Sequence, residues 1–367
     1  MKSFLSTPLT RFLKKAITDP KNINFHKQEY LIKKSIGKKK VISYVPGVFT
    51  IYITFRCNFR CAGCQFLLQD KDSLQGSSDM KLEDFKWILD HLGKNIHTVI
   101  LGGGEPTLHP QFSEIVQEVK KRNLKLQMST NGTFIIQRIN DLKYFDKINV
   151  SINGLDYQTF QRLTNTTEKQ FNDVMAGIRL LKEHSISFRI SFVFFEENLS
   201  EIDKLLQFAR EIKPEVLMLR SGNPHGSESL HPLTANSDSV KSFLKKVLSK
   251  NDYPFSIKLP TVFNSDSKEF NVENCSLPWL EGFIGPTGDI AYCCHLKFNP
   301  EIGNIFKNYN FNSEKMVKFR EAMINHKYPK NCLYCQRRFM DKDEYSGFFN
   351  PGTKKWVLSP FYQKFLP

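Results

Sequence analysis

The sequence predicts an α/β fold: a partial (β/α)6 barrel followed by a smaller C-terminal unit. Three observations predict it. Between residues 50 and about 220, six short β-rich runs alternate with longer amphipathic segments, and strands separated by helices pair in parallel through right-handed crossovers. At 367 residues the chain exceeds one ordinary domain. Five of the eight cysteines fall in the last hundred residues, after the alternation has faded.

The elements follow in order. "FTIYITF" reads as the first strand, and a cysteine loop leads from it to a helix near "MKLEDFKWILDHLGK". "HTVILGGG" is a second strand ending in glycines, and "PQFSEIVQEVKKRN" carries apolar residues at helical spacing. "LKLQMSTNG" and "KINVSING" repeat the strand-then-turn pattern. A helix near "QFNDVMAGIRLLKEH" precedes the strand "SFRISFVFF", and the helix "LSEIDKLLQFAREI" precedes the strand "EVLMLR". In TIM-like barrels the C-terminal strand ends and the loops after them build the active site. Every unusual motif of this half lies at such an end. From Ser221 to Asn274 the pattern weakens into a connection with one basic helix near "SDSVKSFLKKVLSK". "GPTGDIAYCC" reads as a β-hairpin turning at Gly288-Asp289. The expected divisions are 1–48, a basic amphipathic extension; 49–225, the barrel; 226–272, the connection; 273–345, the C-terminal unit; and 346–367, a tail.

Hydrophobic content of 40% and charged content of 24% are those of a globular protein. The 32 phenylalanines predict an aromatic-rich core. No apolar run approaches the eighteen residues of a membrane span, and the N-terminus lacks the apolar stretch of a secretion signal. A reducing, cytoplasmic setting is therefore expected, where clustered cysteines bind metal or act catalytically more often than they pair. Of the net charge of +15, a surplus of nine falls in the first 40 residues. Such a segment attracts phosphates, acidic peptides or anionic lipid, or forms a solvated surface helix. Phe4, Leu5, Leu9, Phe12, Leu13 and Ile17 share one face there, which suggests docking on the barrel or, alternatively, peripheral contact with a membrane.

Cys57, Cys61 and Cys64 lie within eight positions directly after the first strand. The chain is too long and lacks the secretion signal for a disulfide framework, and no fourth zinc ligand follows before Cys275. The arrangement is an open three-thiolate site. Its C-x3-C-x2-C spacing resembles the signature of the radical S-adenosylmethionine (SAM) superfamily. There the three thiolates hold three irons of a [4Fe-4S] cluster, and SAM chelates the fourth. Thiolates are the usual holders of such clusters. One departure is Ala62, where the family usually has an aromatic or bulky apolar residue; either adenine packing there is altered or nearby Phe59 or Phe66 compensates.

The resemblance extends to "LGGGEPTLHP", which is similar to the family's GGEP motif and implies cofactor contact through Gly102, Gly103, Gly104 and Glu105. "STNGT" and "SING" look like the polar strand ends that meet the SAM carboxylate and ribose, through Ser129, Asn131, Ser151 and Asn153. Arg189 is a candidate partner for the SAM carboxylate, with a plain ion pair as the alternative. Cys275, Gly288-x4-Cys293 and Cys332-x2-Cys335 resemble the shortened SPASM module called a twitch domain, a β-hairpin plus helix. That module implies one auxiliary [4Fe-4S] cluster; structural zinc is the alternative. Cys294 is left over as a spare thiol, a replacement ligand or a hydrogen donor to a substrate radical. His225 and His231 lie near the barrel mouth.

The reading is thus a radical SAM enzyme with SAM and two [4Fe-4S] clusters as cofactors, reduced by a donor such as flavodoxin or ferredoxin. It would form a 5′-deoxyadenosyl radical and abstract hydrogen from a substrate C–H bond. Oxidative tailoring of a small polar molecule is preferred slightly over maturation of a ribosomal peptide, whose acidic leader the basic N-terminus would grip. A nucleic-acid-binding iron–sulfur scaffold is the third reading, and it leaves the open thiol site beside a glycine loop unexplained.

Overall fold

A computed structural model describes residues 23–64, 79–222, 229–262, 275–307, 309–329, 332, 335 and 347–366. The strands are β1 (Val48–Thr54), β2 (Thr98–Gly103), β3 (Lys125–Thr130), β4 (Lys147–Ile152), β5 (Arg189–Phe194), β6 (Val216–Ser221), β7 (Ser256–Lys258), β8 (Glu281–Ile284), β9 (Ile290–Ala291), β10 (Gly347–Asn350) and β11 (Lys355–Leu358). They form one sheet in the order β11-β10-β7-β6-β5-β4-β3-β2-β1-β8-β9. From β1 to β7 every neighbour pairs in parallel, and β8 pairs in parallel on the other edge of β1, Val48 opposite Glu281 and Ile51 opposite Ile284. Antiparallel strands finish both edges: β9 beside β8, and the β10–β11 hairpin beside β7. Among the described residues the edges do not meet, so the barrel is partial.

Alternation along the strands assigns the two faces. Phe49, Ile51, Val99, Leu101, Leu126, Met128, Ile148, Val150, Ile190, Phe192, Leu217 and Leu219 are buried against the helices. Each such side chain contributes about 1.5–3 kcal/mol through burial. The opposite face carries Tyr52, Gly102, Gln127, Ser129, Asn149, Ser151, Ser191 and Arg220, a polar concave surface. The helices between strands follow their apolar periodicity: Leu82–Leu92 buries Leu82, Phe85, Ile88, Leu89 and Leu92, and Glu168–Glu183 starts from a capping box of Thr167 and Gln170.

The six expected strands and five helices are present. The structure adds helices Ile135–Leu142 and Tyr157–Thr164, each only two turns long. It also places β7 inside the connection expected at 226–272 and the β10–β11 hairpin inside the expected tail. These strands have three or four residues, too few for a period of two to stand out. The hairpin turn differs as well. Gly288 donates to the Gly285 carbonyl, so Pro286 and Thr287 are the central residues, and Gly288 follows at φ 81°, the left-handed position that glycine takes freely. Residues Phe4 to Ile17, His225 and Phe66 lie outside the described residues. Among the described residues no helix is long and apolar enough to cross a membrane.

The C-terminal unit is fastened by Arg320, whose side chain is wholly buried. Its guanidinium donates to the carbonyls of Pro278 (3.0 Å), Lys40 (3.0 Å) and Phe311 (2.6 Å). One cation thus joins the segment before β1, the turn before β8 and the loop before helix Glu314–Ile324.

Candidate active site

The cysteine loop begins where β1 ends. Arg56 holds its root with two bonds to Asp79 (3.1 and 2.8 Å) and one to the Leu108 carbonyl (2.8 Å). Farther on, Arg60 N and Ala62 N each donate, at 2.9 Å, to the carbonyls of Thr164 and Leu163. Those carbonyls close helix Tyr157–Thr164 and have no intrahelical partner, so the loop caps the helix. Cys64 N returns to the Cys61 carbonyl at 3.0 Å. All three thiols are free and half-buried. Burial and neighbouring negative groups act together: desolvation, with Glu105 and then Cys64 adding to it, pushes the Cys57 thiol up to about 11, and desolvation with Cys64 and Cys57 raises Cys61.

Phe59 packs edge-on against Phe160 at 5.8 Å and is buried in the core; it does not occupy the place left by Ala62. Ala62 instead packs against Leu163, Phe195 and Leu230.

Gly102, Gly103 and Gly104 run along the end of β2. Their smallness serves β1 first. A Cβ on Gly103 would lie 2.3 Å from the Thr54 carbonyl oxygen, and one on Gly104 would lie 2.4 Å from that of Arg56. Gly104 N and Glu105 N donate to those same carbonyls. Glu105 needs a correction. Expected as a fixed carboxylate in contact with the cofactor, it is fixed but completely buried, and its oxygens are committed inside the protein. One accepts from Thr107 N (3.1 Å), Thr107 Oγ1 (2.5 Å) and Thr130 Oγ1 (2.8 Å), the other from Asn131 N (2.7 Å). Desolvation raises its pKa while these bonds pull it down.

Ser129 is exposed on the concave face, and Asn131, Ser151 and Asn153 are half-buried at the ends of β3 and β4. The side-chain carbonyl oxygens of Asn149 and Asn153 are shut from solvent without a hydrogen-bond partner, acceptors suited to a polar ligand. Arg189 is the second correction. It opens β5, at the strand end opposite the cysteine loop, and pairs with Glu215 at 2.7 Å. Sequence distance hid that a strand's first residue lies far from the mouth. Its other reading, an ion pair, is the one observed. His231 does reach the mouth, where its Nδ1 meets Glu197 and its backbone N lies 3.1 Å from both Glu197 oxygens. Sequence reasoning missed Glu197, Asn58 and Tyr52, since no spacing marks them.

The second thiol set packs on the concave face of β1. Tyr52, Leu277, Phe283, Ala291 and Cys293 form one apolar cluster, with Phe55, Cys275, Cys294 and Phe298 against it. Tyr52 and Phe298 rings lie 4.7 Å apart, Phe55 and Phe298 5.5 Å. Cys293 and Cys335 are buried, and Cys275, Cys294 and Cys332 half-buried. Burial, with Cys294, Cys335 and Cys275 adding to it, holds the Cys293 thiol well above the ordinary range. Cys335 N donates to the Cys332 carbonyl at 3.2 Å, the tight turn of a C-x2-C pair. Among the described residues no three His, Cys, Asp or Glu side chains form a group that grips a metal ion directly. The fit to iron–sulfur clusters rests on donor chemistry: two sets of reduced, sheltered thiols, one of three and one of four or five. A cavity of about 420 Å³ lined by Ile42, Tyr44, His91, Asn95, Ile305 and Phe311 lies before β1, away from this mouth.

Comparison with known proteins decides the family. Residues 51–209 match the model of the radical SAM superfamily, and residues 275–336 match that of the SPASM iron–sulfur cluster-binding domain. The chain belongs to the radical SAM superfamily. It is a radical SAM enzyme, with SAM and iron–sulfur clusters as its cofactors. Among curated relatives, the antilisterial bacteriocin subtilosin biosynthesis protein AlbA of Bacillus subtilis is 27% identical over 333 residues, 87% of this chain and 70% of AlbA. A GTP 3′,8-cyclase of Campylobacter fetus is 26% identical over 332 residues, 88% of this chain and 97% of that enzyme. Among solved structures, Streptococcus suis SuiB bound to its precursor peptide SuiA superposes with a TM-score of 0.59 at 16% identity, covering 87% of this chain and 75% of SuiB. The structure of anSMEcpe with bound AdoMet gives 0.57 at 17%, covering 88% and 91%. These two show the shared fold.

Proposed function

We propose that this radical SAM enzyme carries out an oxidative modification of a ribosomally made peptide, using two [4Fe-4S] clusters. Cys57, Cys61 and Cys64 would hold the first, and Cys275, Cys293, Cys332 and Cys335 the auxiliary one. The clusters and SAM supply electron transfer and the hydrogen-abstracting radical. The backbone around Gly102–Glu105 and the polar ends at Ser129, Asn131, Ser151 and Asn153 would orient SAM. Asn149, Ser191 and Arg220 line the concave face toward the substrate. His231, steadied by Glu197, is placed to move a proton at the mouth, and Cys294 is a candidate hydrogen donor beside the auxiliary thiols.

The observation carrying this reading is that thiols of both sets meet at one strand: the first set follows the end of β1, and Cys275, Cys293 and Cys294 of the second pack at Tyr52 on its concave face. A substrate in the mouth would meet radical chemistry on one side and an electron acceptor on the other. The peptide is favoured by the likeness to AlbA along 87% of the chain, and a partial barrel leaves its polar face open to an extended polymer. A small polar metabolite is the second reading, favoured by the match to 97% of a GTP 3′,8-cyclase. We also infer a cytoplasmic setting and reduction by a flavodoxin or ferredoxin.

One experiment separates the two substrate classes. Reconstituted protein, dithionite and SAM are mixed with size-fractionated extract of the host, and 5′-deoxyadenosine is measured. Peptide modification predicts stimulation by a fraction that proteinase digestion abolishes. Stimulation that survives digestion and passes a small-pore membrane would replace the peptide with a metabolite.

A further inference from the structure

Asn58 occupies an unassigned position inside the C-x3-C motif, yet it is held from two directions. Its side-chain oxygen accepts from Asn131 Nδ2 at 2.8 Å, and its carbonyl accepts from Gln170 Nε2 at 3.3 Å. The orientation of the Asn131 amide is fixed by its other end, because Asn131 Oδ1 accepts from Thr133 N (3.0 Å) and Thr133 Oγ1 (2.8 Å). Its nitrogen therefore has to point at Asn58. Asn131 is in turn anchored through its backbone N to Glu105 (2.7 Å), and the same carboxylate holds Thr107 and Thr130. Gln170 belongs to the capping box that opens helix Glu168–Glu183.

The bonds form one chain. A buried carboxylate at the end of β2 fixes the turn after β3, and that turn grips the cysteine loop after β1 at Asn58. Three loops that come from three different strands are tied at the place where the cofactor must touch all of them. We propose that Asn58 is a positioning residue for SAM: through Asn131 and Glu105 it sets the cysteine loop at a fixed distance from the β2 and β3 ends before the cofactor arrives. It holds no iron and touches no reacting atom. The inference rests on the assignment of the first cluster to Cys57, Cys61 and Cys64, and it explains why Glu105, fully bonded within the protein, stands in the glycine loop. A site set in advance binds more tightly because ordering is not charged to the binding step.

A double-mutant cycle tests it. Asn58→Ala, Asn131→Ala and the pair are reconstituted as full-length protein, and three quantities are read: iron per chain, SAM affinity, and the change that SAM makes in the EPR spectrum of the reduced first cluster. Both single variants are expected to keep wild-type iron, since every thiol remains. Each should bind SAM about tenfold more weakly, equivalent to about 1.4 kcal/mol, with a broadened SAM-induced signal. Because the two side chains act through one bond, the pair should be no weaker than Asn131→Ala alone. An Asn58→Ala protein with wild-type affinity and signal would overturn the proposal. So would a pair whose losses multiply to about a hundredfold, which marks independent sites. Loss of iron from Asn58→Ala would also overturn it, by making the residue a support of the cluster itself. Wild-type protein that holds iron but shows no SAM-induced signal would instead refute the cofactor assignment, and that is seen before any variant is made.

Discussion

The two thiol regions are steadied by different means. The first draws Cys57, Cys61 and Cys64 from one loop and steadies them with hydrogen bonds: Arg56 to Asp79, Arg60 and Ala62 to the helix end, Asn58 to Asn131. The second gathers Cys275 and Cys293 from separate stretches into an apolar cluster with Tyr52, Leu277 and Phe283, with the buried Cys335 near Cys293. A polar, loop-borne site leaves room for a cofactor to come and go, whereas a site closed by side-chain packing keeps what it holds. The difference teaches that the first region depends chiefly on hydrogen bonds to its loop, although Cys57 and Cys61 also touch the main core, and the second chiefly on side-chain packing.

The most severe way to break this comparison is to remove the first thiols. Replacing Cys57, Cys61 and Cys64 together by alanine should lower iron from about eight to about four per chain, at four per [4Fe-4S] cluster, and abolish 5′-deoxyadenosine formation with dithionite and SAM. Unchanged iron would show that these thiols hold no cluster.

The matching change in the second region, Cys332→Ala with Cys335→Ala, should also leave about four irons. Here 5′-deoxyadenosine should still form, while oxidised product, followed by mass spectrometry, should fall below a tenth of wild type. Full product yield from a protein shown to lack the second cluster would remove its role as electron acceptor.

Arg320→Met sharpens the comparison through packing. It leaves the carbonyls of Pro278, Lys40 and Phe311 without their donor, and a buried acceptor left unsatisfied costs about 1–3 kcal/mol. Urea unfolding should show a lower midpoint and an unfolding free energy reduced by at least that amount, with the C-terminal unit opening first by hydrogen exchange. The smallest effect belongs to Arg189→Met. It cuts an ion pair with Glu215 whose partners are partly exposed, worth at most about 1 kcal/mol, and SAM affinity measured by calorimetry should not change. A tenfold loss would restore Arg189 to the cofactor site.

Much of the barrel was legible because its strands and longer helices repeat their periods several times. The first thiol set was legible because its ligands are contiguous. What stayed hidden depends on contacts between distant segments. Glu105 reads from sequence as a carboxylate fixed beside a glycine loop; only the fold shows that Thr130 and Asn131 are what fix it. Arg189 shares a face with Ser191 but sits at the wrong end of its strand, a matter of a few residues at about 3.3 Å each. The pairing of β8 with β1 could not be read either, since more than two hundred residues separate the strands and a four-residue run carries little pattern.

That pairing also bears on how the chain could be divided. Val48–Ile51 take hydrogen bonds from β2 on one side and from Glu281–Ile284 on the other. A fragment ending at residue 274 would keep every thiol of the first loop, yet it would bare one whole side of β1, a run containing Phe49 and Ile51. An apolar strand with open amides and carbonyls recruits other strands. Such a fragment should precipitate or pair with its own copies rather than remain a small soluble barrel.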